Sequence, residues 1–175
     1  MNRRRLDFEA LRDTILHIGG KLDLRMGGPP VRLDRSPFPV RRSVYGLIDR
    51  ANIPDVLRAI GFPNPDTTTG NRSFTIVPQQ ALLMMNSPFV LEQSKHTAQR
   101  VLANESLDDR GRIDRIYHSI LARGPSVSER SRALNFIEST MMQLETDQSE
   151  EARTTVAWSG LCQALFACAE FRYLN

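Results

Sequence analysis

Two of the three histidines stand four residues after a carboxylate: Glu92 before His96, and Asp114 before His118. On a helix that spacing puts both members of a pair on one face. Two such helices side by side could offer two imidazoles and two carboxylates to a divalent metal. The plainer reading outweighs it: solvated carboxylate–histidine pairs, each contributing about 0.2–0.5 kcal/mol. No H-E-x-x-H and no C-x-x-C-H occurs anywhere in the chain. His17 falls off the apolar stripe of its helix and is expected in solvent. Ser87 and Ser126 have no histidine placed by sequence to activate them, and both stand where helix N-caps belong. No metal-binding or catalytic set is expected, and the reading leans against an enzyme for this chain alone.

Polar side chains that could grip a ligand or partner lie elsewhere. In "TIVPQQALLMMNSPFVLEQ", residues 75–93, Gln79, Gln80 and Asn86 could hydrogen-bond a ligand. Side-chain amides at a helix start and end more often satisfy the backbone of a crossing loop. Arg72 is expected to pair with Asp66 as a local clamp rather than to form an anion site, and Met84-Met85 to fill core rather than bind a soft metal. Arg41-Arg42 and Arg3-Arg4-Arg5 could in principle hold phosphates. The first 75 residues carry 13 Lys/Arg against 8 Asp/Glu, with no stacking aromatics interleaved. That excess is weak for a nucleic-acid footprint, so a solvated face is expected. Asp66, Arg72, Gln79, Gln80, Asn86, Arg41 and Arg42 are therefore candidate interaction residues, not catalytic ones.

The elements that position them follow from periodicity. At 175 residues and 41% hydrophobic content the chain can bury a real core as one helical domain. It contains no run approaching the roughly 20 apolar residues of a membrane span. Its start, "MNRRRLDFEALRD", lacks the apolar stretch of a signal peptide. Phe8, Leu11, Ile15 and Ile18 predict a helix over 6–18, stopped at Gly19-Gly20. Residues 21–50 form a long irregular Pro/Arg-rich segment, within which "RRSVYGLI" predicts at most one short strand or extended stretch. Asn52 should cap a short helix carrying Ile53, Val56, Leu57 and Ile60, followed by the polar loop "FPNPDTTTGNRS".

Pro78 suits the first turn of a helix over 78–86, with Ala81, Leu82 and Met85 expected to face inward. Ser87-Pro88 should restart the chain as a new helix, making a helix–corner–helix joint. Ser106 with Asp109, and Ser126 with Glu129, read as capping boxes of two further helices. Leu134, Ile137, Met141 and Leu144 form the stripe of the second, and Trp158, Leu161, Cys162, Leu165 and Ala169 mark the last helix. Cys162 and Cys168, six apart, would be separated on a helix by about 9 Å of rise and about 120°, too far round to pair. The prediction is a mainly α fold of about six or seven helices.

Five stretches carry a likeness: "RRRLDFEALRDTILHIGGKLDLRMGGPPV", "RRSVYGLIDR", "GFPNPDTTTGNRSFTIVPQQALLMMNSPFV", "RIYHSILARGPSVSE" and "WSGLCQALFACAEFRYLN". Together, and in that order, they resemble the C-terminal PSD domain of unknown function of large planctomycete proteins that often also carry cytochrome-c-like domains. The resemblance implies an exported, multidomain parent of which this is the C-terminal part, and an extracytoplasmic address. It implies partners among upstream domains or other envelope proteins, no cofactor in this chain, and haem only upstream. The family's loop before the proline helix often carries a cysteine and paired arginines. Here Gly70, Asn71 and a single Arg72 stand there, so a role built on that cysteine does not carry over. The leading expectation is a non-catalytic docking module. The alternatives are one wall of an enzyme or redox site whose chemistry lies upstream, and, more weakly, polyanion binding through the basic first half.

Overall fold

The computed structural model describes residues 4–54, 57–58, 62–63, 66, 68, 78–144, 147 and 149–174. Among them run seven α-helices: α1 (Phe8–Ile18), α2 (Pro78–Asn86), α3 (Pro88–Leu102), α4 (Asp109–Leu121), α5 (Val127–Gln143), α6 (Glu150–Ala167) and α7 (Ala169–Arg172). Two-residue strands β1 (Arg4–Arg5) and β2 (Tyr173–Leu174) pair antiparallel, tying the first described residues to the last. The chain is thus mainly helical, as its periodicity predicts.

The helix boundaries follow from local chemistry. Gly20 adopts φ +71°, and the amide of Lys21 returns to the Leu16 carbonyl at 2.9 Å, a glycine-terminated end for α1. Pro88 occupies the first turn of α3, where a missing N–H costs nothing. The Ser126–Glu129 capping box of α5 is complete in both directions. α4 departs from expectation: its N-cap is Asp108, which accepts from Gly111 N at 2.8 Å, while Ser106 turns back to Asn104. A carboxylate nearer the first turn satisfies the same orphan amides and favours the positive helix end. α4 ends with Ala122 in the left-handed region at φ 56°, two residues before Gly124.

α6 is the hub. It touches α2, α3, α4, α5 and α7, and packs most extensively along α3. A helix so surrounded must be apolar on more than one face, and α6 buries Ala157, Trp158, Leu161, Cys162, Leu165 and Phe166. Trp158 is 2% exposed and Phe166 fully buried, the latter meeting Phe171 of α7 edge-on at 5.1 Å between ring centroids. Fully burying an aliphatic or aromatic side chain contributes about 1.5–3 kcal/mol. Ile113, Ile116 and Ile120 from α4 and Ile15 and Ile18 from α1 belong to the same core.

Two expectations are corrected. In α2 the inward residues are Gln80 (4% exposed) and Met84 (2%), whereas Leu82 and Met85 are more than half exposed. All of Ala81–Met85 is apolar, so composition fixes no phase, and packing against α1 and α6 selects it. Residues 41–48 form no strand: Ser43–Tyr45 is a single 3-10 turn. It is flanked by isolated parallel bridges, Asp23 with Arg41 and Val31 with Gly46. The helix expected after Asn52 lies largely outside the described residues, although Leu57 within it is 1% exposed. No helix among the described residues is long and apolar enough to cross a membrane.

Candidate interaction surface

The apolar stripe of α1 contains one charged residue. Arg12 lies four residues after Phe8 and three before Ile15, and only 3% of it is exposed. Its guanidinium donates to the Arg41 carbonyl at 3.0 Å, to Ser43 Oγ at 3.2 Å and to the Pro39 carbonyl. It also lies 5.0 Å from the centroid of the Phe89 ring, a cation–π distance. Burial lowers its pKa to about 10, against a raising contribution from neighbouring Asp13, so it remains a cation at neutral pH. Asp13 in turn accepts from both Ser43 N and Ser43 Oγ at 2.7 Å. Two adjacent charged residues of one helix thereby clamp the far end of the irregular segment.

The segment also clamps itself. Arg41 stacks 4.1 Å over the Tyr45 ring and donates to the carbonyls of Pro29, at 2.7 Å, and Gly27. Tyr45 Oη accepts from Gly27 N at 3.0 Å. Gly27 and Gly28 hold φ values of +74° and +92°, which let the backbone fold under this guanidinium. At Gly46 a Cβ would fall 2.4 Å from Leu33 Cδ1, so any side chain there would have to displace the buried Leu33. Phe38 meets Phe89 of α3 edge-on at 5.6 Å. Residues 21–50 are therefore a fixed layer over α1 and the start of α3, built from hydrogen bonds to carbonyls rather than from regular secondary structure.

This layer exposes aliphatic side chains beside its arginines Arg25, Arg32, Arg35 and Arg42. Leu24 is 66% exposed, Met26 89% and Val44 67%. The Asp23–Arg41 bridge and the Gly27–Tyr45 hydrogen bond set 23–27 beside 41–45, bringing these three side chains to one region of surface. A cleft of about 280 Å³ opens between α1, residues 33–38 and the α2–α3 corner, walled by Phe8, Leu33, Phe38 and Leu83 with Arg12 and Asn86 among its polar groups. Loops normally show polar side chains to water. Here Arg12 and Arg41 are turned to backbone carbonyls, while Leu24, Met26 and Val44 reach solvent.

The described candidate residues stand in different places. Arg41 is half-buried and committed to its own segment's carbonyls. Arg42 is exposed, its Nε 3.6 Å from Asp13 Oδ2. Gln80 is buried beside Arg5, Leu6, Leu11 and Met84. Asn86 ends α2 at the mouth of the 280 Å³ cleft. Gln79 lies in the first turn of α2, its side chain outside the described residues, as is Arg72, and Asp66 is exposed. Arg3 also lies outside the described residues, while Arg5 is buried. The two carboxylate–histidine pairs part company: His96 Nε2 stays 3.9 Å from Glu92, but Asp114 is taken by Arg130 at 2.8 Å. No group of three His, Cys, Asp or Glu residues among those described is placed to hold a metal.

Sequence reasoning missed Arg12 and Arg123. Arg123 donates to both carboxylate oxygens of Glu129 (2.8–2.9 Å) and of Glu170 (2.6–2.8 Å), joining the α4–α5 corner to α7. Hydrogen bonding to Arg123 holds both glutamates below the usual carboxylate range and raises the arginine. The signal for Arg12 was present: a cation at a stripe position, four residues after Phe8. For Arg123 there was none, because Glu170 is 47 residues away.

Residues 1–137 match the model of the PSD1 family, described as protein of unknown function (DUF1553). No curated protein and no solved structure gave a match to the chain.

Proposed function

The chain belongs to the PSD1 family, and on that premise we propose that it is a non-catalytic helical docking module, the C-terminal domain of a larger exported protein. Its partner is an upstream domain of the same parent or another protein of the cell envelope. The observation that carries this reading is the set of exposed aliphatic side chains on the fastened segment 21–50. A segment fastened from below by Arg12, Asp13 and Arg41 holds Leu24, Met26 and Val44 out to solvent. Fixing a loop that displays aliphatic side chains lowers the entropy cost of binding, and exposed apolar groups on such a loop suit a protein partner. The module needs no cofactor of its own; haem chemistry, where the parent has it, belongs to the upstream domains.

The test is size-exclusion chromatography with light scattering on the chain, alone and mixed with the separately expressed upstream part of its parent. A stoichiometric complex is expected, weakened about tenfold or more by Met26→Glu, the loss typical of one interface anchor. Independent elution of the two parts at micromolar concentration overturns the reading.

A further inference from the structure

On the opposite side of Ile18 from the core lies a second concavity, of about 270 Å³, formed where the C-terminal turn of α1, the last turns of α3 and the middle of α4 meet. Its polar lining is His17, Thr97, Arg100, Asn104, Arg115 and Ser119, and no carboxylate lines it. Four arginines of this fold stand in a different setting. Arg25, Arg112, Arg123 and Arg130 each bond a carboxylate within 3.0 Å. Arg115 makes no hydrogen bond or ion pair, and its neighbour Asp114 is turned to Arg130. Arg100 makes one bond, from Nη1 to the Ile18 carbonyl at 3.1 Å, leaving the rest of its fork free, and His17 has no partner.

Arg100 has a structural use in capping α1, but capping does not account for the charge. A helix C-terminus carries about half a negative charge, so the ends of α1 and α3 together offset about one of the two guanidinium charges. A surplus of about one positive charge remains, with imidazole, hydroxyl and amide donors around it. Gly20, at φ +71°, passes 3.5 Å from Arg100 at the point where its Cβ would lie, which keeps the arginine against the cleft wall. Planar guanidinium forks match tetrahedral oxyanions. The volume is below the roughly 300–1,000 Å³ that encloses a drug-sized ligand.

We propose that this cleft binds a phosphate-class oxyanion, as the free ion or as a small monoester, between Arg100 and Arg115. The site is independent of the docking surface and of any partner bound there. It is tested by titrating inorganic phosphate into the isotope-labelled chain at constant ionic strength, and following the amides of residues 97–104 and 115–119 by NMR. Saturable shifts confined to those amides are expected, with a Kd of about 1 mM or tighter. Arg115→Gln removes no intramolecular bond, so the fold is kept and the affinity should fall at least about tenfold, the loss of one charge-assisted fork. A parallel titration with glycerol phosphate separates the two ligand forms: tighter binding assigns the ester, equal binding the free ion. Absence of saturable shifts with phosphate, or unchanged affinity in Arg115→Gln, overturns the proposal.

Discussion

Replacing Arg12 by methionine should release the irregular segment while leaving the helices folded. Methionine keeps an unbranched stem against Phe89 but removes the donors to the carbonyls of Pro39 and Arg41 and to Ser43 Oγ. Hydrogen bonds to a charged group contribute about 1.5–3 kcal/mol each, so the gross loss over three is about 5–9 kcal/mol. Against this stands the desolvation of a guanidinium only 3% exposed, several kcal/mol, which the variant no longer bears. The same burial lowers the Arg12 pKa to about 10. A net loss of about 2–4 kcal/mol remains, and it should be local.

The reporters are amides bonded within the segment: Asp23 to the Val40 carbonyl (2.8 Å), Val31 to Tyr45 (2.9 Å) and Leu47 to Val31 (2.8 Å). Native-state hydrogen exchange should show these accelerated by about 30- to 700-fold, the same free energy expressed as a rate ratio. Amides inside α3 and α6 should change far less. Equal acceleration everywhere would mean that the segment opens only with the core, and no acceleration would mean that Arg12 does not hold it. Either result refutes the reasoning.

Two further outcomes follow from groups remote from the segment. Glu129 and Glu170 are held below their ordinary value by Arg123, so their contribution is fully present above the unfolded value of 4.5 and is lost as pH falls through the folded ones. The urea midpoint should therefore drop on acidification below about pH 5, and Arg123→Ala should flatten that dependence; parallel curves for the two proteins would refute the link. Burial pushes the Cys162 thiol up to about 12, whereas Cys168 is only half-buried. Iodoacetamide at about pH 8 should alkylate Cys168 in the native protein and reach Cys162 only in denaturant, an order read by peptide mass spectrometry and refuted by equal native labelling.

Helix type and number were legible because the signals are local. Ser126 and Glu129 are three residues apart, and their box forms as the pattern requires. Pro88 marks the start of α3 for the same reason. What was illegible depended on contacts distant in sequence. Between Ala81 and Met85 every residue is apolar, and only the placement of α1 and α6 decides that Met84 goes in and Met85 out. "RRSVYGLI" alternates like a strand, but Arg12 takes the Arg41 carbonyl and Asp13 the Ser43 amide toward α1, and a 3-10 turn results. The family likeness located the segments in order without saying which arginine points where, and the candidates Arg41 and Arg42 were chosen for adjacency while the determining cation was 29 residues upstream.

The shifted carboxylates among the described residues are ion-pair partners, not raised bases. A general base works best with a pKa near the operating pH, which active sites reach by burying carboxylates or setting them against one another. Here the perturbed carboxylates move the other way: Arg25 lowers Asp23, and Arg123 lowers Glu129 and Glu170. Each is a weaker base than a free side chain; Glu129 and Glu170 join the α4–α5 corner to α7 through Arg123, and Asp23 holds Arg25 two residues on. Arg12 and Arg41 complete the pattern by bonding carbonyls of a segment that has little regular secondary structure. Much of the chain's charge thus organises its own backbone, and Arg115 lines a cleft with no carboxylate in it.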